Sequence, residues 1–238
     1  MSSGNARAMQ SSYPTLFQPP NAEDTPQSLF SNDHRFIRKS DPRQILIYTD
    51  GSCLRNGQDN PQAGYSFVYR PSAYSALGFL THAGSVSARL ETCGPTGQFY
   101  IQTSNRAELR AVIAALQWQD WSRDCNGGWR SLVVATDSEY VALNATQRIQ
   151  RWESEGWTTT GQGQGTDIKN QDLWKLLLTS ICNLKAGGMD VFFWRIPRDW
   201  NAMADMLAKV GAEMPEIPYF QILKLGAPKG NQSEYYDC

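Results

Sequence analysis

Apolar residues in this chain fall first into short runs and later into a helical spacing. Gln44-Ile45-Leu46-Ile47-Tyr48-Thr49 is a β-rich run that ends in Asp50-Gly51-Ser52. Ala63 to Tyr69 predicts a second strand, stopped by Pro71, and a weaker third lies around Ser85 to Glu91. Intervals this short suit antiparallel neighbours. From Asn105 to Trp121 the period becomes helical, carried by Ala107, Ala111, Ile113, Ala114 and Leu116. The run from Leu132 to Thr136 is unbroken up to Asp137, as expected of a buried central strand. Helical stretches are predicted at 138–152 and 170–185, around a loop rich in Gly, Gln and Thr. Val191 to Arg195 predicts a last strand, and Asn201 to Ala212 a last helix. The class is α/β, a mixed sheet with helices packed on its faces. There is no internal repeat.

Residues 1–43 are rich in Ser, Pro, Asn and Gln with few periodic apolar positions, which predicts a flexible N-terminal arm. A basic cluster, Arg35, Arg38, Lys39 and Arg43, closes it, either to touch phosphates or an import receptor or as a solvated charge run. Residues 44–213 read as one domain, and 214–238 as a tail punctuated by proline and polar at its end.

The 238 residues allow a sizeable core. A formal net charge of -1 excludes a grip on nucleic acid by bulk charge and leaves only a local patch. The five cysteines are scattered and form no C-x-x-C pair, so neither a zinc site nor a disulfide framework follows. No membrane-length apolar stretch and no secretory signal are evident, so a soluble protein of the nucleus or cytoplasm is expected. Nothing implies an obligate protein partner, and a monomer is expected.

Four acids in separate segments carry the candidate chemistry: Asp50, Glu108, Asp137 and Asp205. Each has a plainer explanation. Asp50 precedes glycine, a turn signal. Glu108 lies three residues after Asn105 and could close a capping box. Asp137 sits where a strand gives way to a helix, as an N-cap would, and Asp205 could be a solvated helix position. Gathered in one pocket, the four would repel and raise one another's pKa unless hard cations were bound among them. Spacing alone does not show that they converge.

With these segments goes a resemblance. Thr49-Asp50-Gly51-Ser52, Thr103 to Leu109, Thr136-Asp137-Ser138 and Asn201 to Ala208 follow one another as in the type 1 ribonuclease H family, which the chain resembles from about 44 to 213. Trp152 to Trp157 and Ile168 to Trp174 look like that family's substrate handle and its next helix. The resemblance implies a five-stranded mixed sheet, its first three strands antiparallel, with the first and fourth adjacent and parallel. It implies that Asp50, Glu108, Asp137 and Asp205 bind two Mg²⁺ ions, with Mn²⁺ as an alternative. It further implies endonucleolytic cleavage of the RNA strand of an RNA–DNA hybrid, leaving 5′-phosphate and 3′-hydroxyl ends.

Binding positions carry over from the same resemblance. Asn56 matches a position that meets the hybrid, Asn105 one that contacts the minor groove, and Thr103 one that holds a DNA phosphate. Asn170 and Trp174 match positions lining the groove for the DNA strand, with core packing as the plain alternative for Trp174 and a helix cap for Asn105. Arg198 is assigned to the substrate side. It lies in the loop Ile196 to Asn201, where the family often carries a histidine and this chain has none. His34 and His82 are poor substitutes, so slow but real cleavage is expected. The handle is balanced too: Arg148, Arg151, Lys169 and Lys175 face Glu153, Glu155, Asp167 and Asp172. Weak hybrid binding with a shallow salt dependence follows. Two rivals stay open: a non-catalytic or weakly active nucleic-acid-binding module of the same fold, and a nuclease acting on another RNA.

Overall fold

A computed structural model describes residues 13–74, 80–81, 83–124, 128–159 and 165–225. In chain order its elements are β1 (Thr15–Leu16), α1 (Pro26–Leu29), β2 (Ile37–Arg38), β3 (Asp41–Leu54), β4 (Gln62–Val68), β5 (Ala73–Tyr74), β6 (Leu80–Thr81) and β7 (Ser85–Arg89). There follow α2 (Ser104–Gln117), β8 (Ser131–Thr136), α3 (Glu139–Leu143), α4 (Ile149–Ser154), α5 (Gln171–Ala186), β9 (Asp190–Arg195) and α6 (Ala202–Glu213). A π-helical turn, Asn144–Arg148, joins α3 to α4, and a 3-10 turn, Arg198–Asn201, leads into α6.

The main sheet runs β1-β9-β8-β3-β4-β7, with β2 also paired to β3. β3, β4 and β7 are antiparallel, whereas β8 lies parallel between β3 and β9. This is the expected five-stranded mixed sheet, the first and fourth of its strands adjacent and parallel. β1 extends it by pairing parallel to β9.

Strand alternation explains the two-sided core. Ile45, Ile47, Leu132, Val134 and Phe193 face α2 and α5, while Leu46, Val133, Ala135 and Trp194 face the opposite side. Because β8 is buried on both faces, every residue of Leu132–Ala135 has to be apolar.

The second face corrects the flexible-arm reading for residues 13–43. Phe17, Phe30 and Phe36 are buried there with Trp194, Leu207 and Leu46. The rings of Phe17 and Trp194 lie 4.8 Å apart, and Phe36 meets Tyr48 edge-on at 5.1 Å. The basic cluster is largely spent on this packing. Arg35 pairs with Asp124, Arg38 stacks on Phe17, and Lys39 Nζ donates to the carbonyls of Gln27 and Ser28 at the end of α1. Arg35 and Arg38 are half-buried by these contacts, whereas Lys39 remains exposed, as a solvated residue would be. Residues 1–12 lie outside the described residues.

The tail is also docked as far as it is described. Thr92 and Cys93 donate their amides to the carbonyls of Ile217 and Pro218, and the Leu225 amide donates to Trp118. Beneath it Arg110 and Glu91 form a fully buried ion pair, with Phe220 4.4 Å from the guanidinium. Among the described residues no helix is long and apolar enough to cross a membrane, and Cys53, Cys93 and Cys182 are free thiols.

Candidate active site

Asp50 lies within β3, not at its end: the strand continues to Leu54 after its pairing with β8 stops at Tyr48. The Asp50-Gly51 pair is therefore no turn. Gly51 is required by a close approach, since an added Cβ would come within 2.1 Å of the Glu108 backbone nitrogen. That contact seats the first turn of α2 against β3 and brings Glu108 beside Asp50.

The cap of α2 is Thr103, whose Oγ1 accepts from the Arg106 amide at 3.2 Å. Asn105 is exposed inside the first turn, so the capping-box account of Glu108 does not hold. Likewise the cap of α3 is Ser138, not Asp137. Ser138 Oγ accepts from the Val141 amide and donates to Glu108 Oε2 at 2.5 Å, which ties the end of β8 to α2.

Asp137 is held by a residue that sequence reasoning did not single out. Asn201, 1% exposed, donates from Nδ2 to Asp137 Oδ1 at 2.9 Å and to the Thr49 carbonyl at 3.0 Å. Asp205 is placed by α6. Asp50 faces Ser66 across the β3–β4 ladder, and Ser66 Oγ donates to the carbonyl of Ala204, the residue before Asp205. Arg198 and Lys209 then donate to the two carboxylate oxygens of Asp205, Lys209 at 2.5 Å.

The four acids influence one another. Burial, then the charges of Asp137, Asp205 and Glu108, push Asp50 up to about 8, against a small opposing pull from the Gly51 amide. Glu108 is pushed up to about 7, first by burial and then by Asp137, although its Ser138 hydrogen bond and Arg198 act the other way. At Asp205 burial acts upward, but the hydrogen bonds and charges of Lys209 and Arg198 outweigh it and hold the carboxyl below its usual range. This is a mutually repelling set of oxygen donors, the chemistry that suits hard divalent cations. Among the described residues no group of three or more His, Cys, Asp or Glu side chains stands ready-made to hold a metal ion. Glu108, Asp137 and Asp205 are each turned toward a protein donor instead.

The binding candidates divide. Asn56 is exposed, and its Oδ1 accepts from the Ser104 amide at 3.3 Å, beside Thr103 and Asn105. Asn170 has a left-handed backbone at φ 59° and heads α5. Its side chain accepts weakly from Arg106 and donates to Tyr140 Oη at 3.2 Å. Trp174 corrects the sequence reading: it is fully buried and packs on Trp152, so it cannot line a surface groove. Its indole N–H donates to Tyr140 Oη at 3.2 Å, which makes Tyr140 the polar end of that stack. Arg106 bonds Asp172 through two parallel contacts of 2.9 and 2.5 Å, bolting α2 to α5. An acid and a base on two helices, 66 residues apart in the chain, carry no local signal by which the pair could have been found. Arg198 stands on Asp205, 68% exposed. His82 lies outside the described residues.

The ribonuclease H family model matches residues 42–213. The ribonuclease HI of Haemophilus influenzae is 33% identical over 176 residues, 74% of this chain and 94% of that one. The ribonuclease H of Treponema pallidum is 36% identical over 134 residues, 56% of this chain and 70% of its own length. Among solved structures, LC9-RNase H1, described as a type 1 enzyme with the type 2 active-site motif, covers 71% of this chain and 72% of its own at 23% identity and a TM-score of 0.48. With a family model spanning most of its length, the chain belongs to the ribonuclease H family.

Proposed function

We propose that the protein is a metal-dependent endoribonuclease that cuts the RNA strand of RNA–DNA hybrids and leaves 5′-phosphate and 3′-hydroxyl ends. The observation that carries this is the buried Asp50, whose carboxyl is raised first by its burial and then by the charges of Asp137, Asp205 and Glu108, carried on the end of β8, α6 and α2. A site built only to bind nucleic acid has no use for such a cluster among phosphates. Asp50, Glu108, Asp137 and Asp205 would hold two Mg²⁺ ions, or Mn²⁺. Bound there, the ions supply an activated water and a stabilised 3′-oxygen leaving group.

The rest falls to the chain's own residues. Ser138 and Asn201 hold Glu108 and Asp137 by hydrogen bonds in the metal-free protein, and the same bonds would orient the two carboxylates as bound ions draw them in. Asn56, Thr103 and Asn105 sit together at the head of α2, suited to meeting a minor groove and recognising its 2′-hydroxyls. Asn170 and Tyr140 offer polar groups at the head of α5 for the DNA strand.

The basic residues of the handle are partly engaged within the protein. Arg151 pairs with Glu155, and Lys175 donates to Gln171 over the ring of Trp157. Few phosphates can be neutralised there, so hybrid binding should weaken only gently with added salt. A steep slope would contradict this.

The test offers labelled hybrid, duplex RNA, single-stranded RNA and duplex DNA side by side in Mg²⁺, with the product ends checked by ligation. Cleavage confined to the hybrid RNA strand, with ligatable 5′-phosphates, is expected. Preference for duplex or single-stranded RNA would favour the nuclease acting on another RNA.

A further inference from the structure

We propose that Arg198 and Lys209 form a cation latch on Asp205, and that Arg198 must leave this carboxylate before a divalent ion can use it. The inference rests on the divalent-metal reading of the site and concerns how that site is filled. Its basis is the distribution of counter-charge among the acids. Glu108 and Asp137 are held by neutral donors, Ser138 and Asn201. Asp205 alone has a full positive charge on each oxygen, Arg198 on Oδ1 and Lys209 on Oδ2. The two cations come from different elements. Lys209 is one turn along α6 from Asp205, whereas Arg198 belongs to the 3-10 turn before that helix.

These positions set the order of events. A Mg²⁺ ligand oxygen lies about 2.0–2.1 Å from the ion, closer than any hydrogen-bond donor comes. A guanidinium on the same oxygen would therefore share a few ångströms with a double positive charge. The side chain of Asp205 is only 16% exposed, so little water is available there to screen the two. The Arg198 side chain is 68% exposed and has room to swing outward without disturbing the core. Lys209, also about half exposed at 51%, can release its end of the carboxylate in the same way. In the metal-free protein the latch serves as a built-in counter-ion, keeping Asp205 charged and aimed. In the filled site it is a competitor, and it raises the metal concentration at which the site fills. The loop that lacks a histidine thus supplies a cation whose resting place is a metal ligand.

The test titrates the full chain, without nucleic acid, using Mg²⁺ by calorimetry and Mn²⁺ by electron paramagnetic resonance of the free ion. It compares the parent with Arg198→Ala, Arg198→Lys, Lys209→Ala and Asp50→Asn, each first checked for an intact thermal transition. Arg198→Ala is expected to bind either ion roughly three- to tenfold more tightly, the size set by one partly screened charge near the ion. Arg198→Lys should stay near the parent, and Lys209→Ala should tighten binding less. In the parent, the guanidinium nitrogen resonances of Arg198 should shift as Mg²⁺ saturates. If the parent binds, Asp50→Asn weakens binding, and Arg198→Ala leaves it unchanged or weaker, the latch is wrong and the metal site stands. Tighter binding without a guanidinium shift overturns the displacement, because Arg198 then acts only through space. Absence of saturable Mg²⁺ or Mn²⁺ binding by the parent overturns both.

Discussion

Replacing Asp50 by Asn should stabilise the metal-free protein, and increasingly so as pH rises. Asp50 is 5% exposed and is raised from 3.8 to about 8 by burial and three neighbouring acids. A carboxyl raised in the folded state keeps its proton more tightly there than in the unfolded chain. Its favourable contribution is complete below pH 3.8 and is lost as pH climbs through about 8, so the parent weakens across that window. At ~1.4 kcal/mol for each tenfold change in proton affinity, the ceiling is ~6 kcal/mol. Coupling to Glu108, which rises to about 7, means that the acids share protons as a set and each responds when another is removed. Relaxation around the charge and water entry reduce the ceiling further, and a gain of about 1–3 kcal/mol at pH 8 is expected. For a chain of this size that raises the midpoint by about 2–12 °C. The assay is thermal unfolding followed by circular dichroism in EDTA, for parent and variant, from pH 4 to pH 9. The difference should be near zero at the acid end and grow toward pH 8. A variant less stable than the parent at pH 8, or an advantage independent of pH, would show that Asp50 is not held protonated by burial and its acidic neighbours. Mg²⁺ should reverse the ranking, because it stabilises the parent more than the variant.

Other perturbations probe the frame and the aim of the acids. Glu91→Ala strands the fully buried Arg110 and should cost about 3–5 kcal/mol in urea unfolding, whereas exchanging both partners for apolar residues should cost much less. Phe17→Ala should cost about 3 kcal/mol, because the ring is buried against Trp194 and Phe30; no change in the urea midpoint would return this segment to a flexible arm. Asn201→Ala removes the hydrogen bond that aims Asp137, and should lower kcat at saturating hybrid by about tenfold or more with a smaller change in KM. An equal loss through KM alone would argue that Asn201 serves binding.

The readable parts of this fold are those where one residue's burial fixes its neighbours. Leu132–Ala135 is apolar at every position because β8 is covered on both sides, so the central strand was legible. The acids were legible as segments, but their local roles were not. Thr103 and Ser138 took the caps that Asn105 and Asp137 could equally have filled, a choice made by backbone geometry and not by residue type. Asp50-Gly51 has the form of a turn, yet the glycine answers a helix that packs onto β3 from far along the chain. Residues 13–43 escaped because Phe17, Phe30 and Phe36 follow no helical or strand period, and their burial depends on the unfilled face of a sheet formed later in the chain. The tail's docking on Arg110 and the Arg106–Asp172 bolt are equally invisible to local pattern. Trp174 lies on a helix whose sequence allowed either side, and packing on Trp152 decided for the core.

The central claim is that Asp50, Glu108, Asp137 and Asp205 form one metal-dependent centre that cuts RNA in a hybrid. Single-turnover cleavage of a 5′-labelled RNA strand annealed to DNA tests it most directly, with parent and Asp137→Asn compared in Mg²⁺, in Mn²⁺ and in EDTA. Cutting by the parent only with a divalent ion, at a slow rate, is expected, with a loss of at least about a hundredfold in the variant while its thermal transition stays intact. A parent that cuts the hybrid in neither metal, or an Asp137→Asn variant that cuts as fast as the parent, would contradict the central claim.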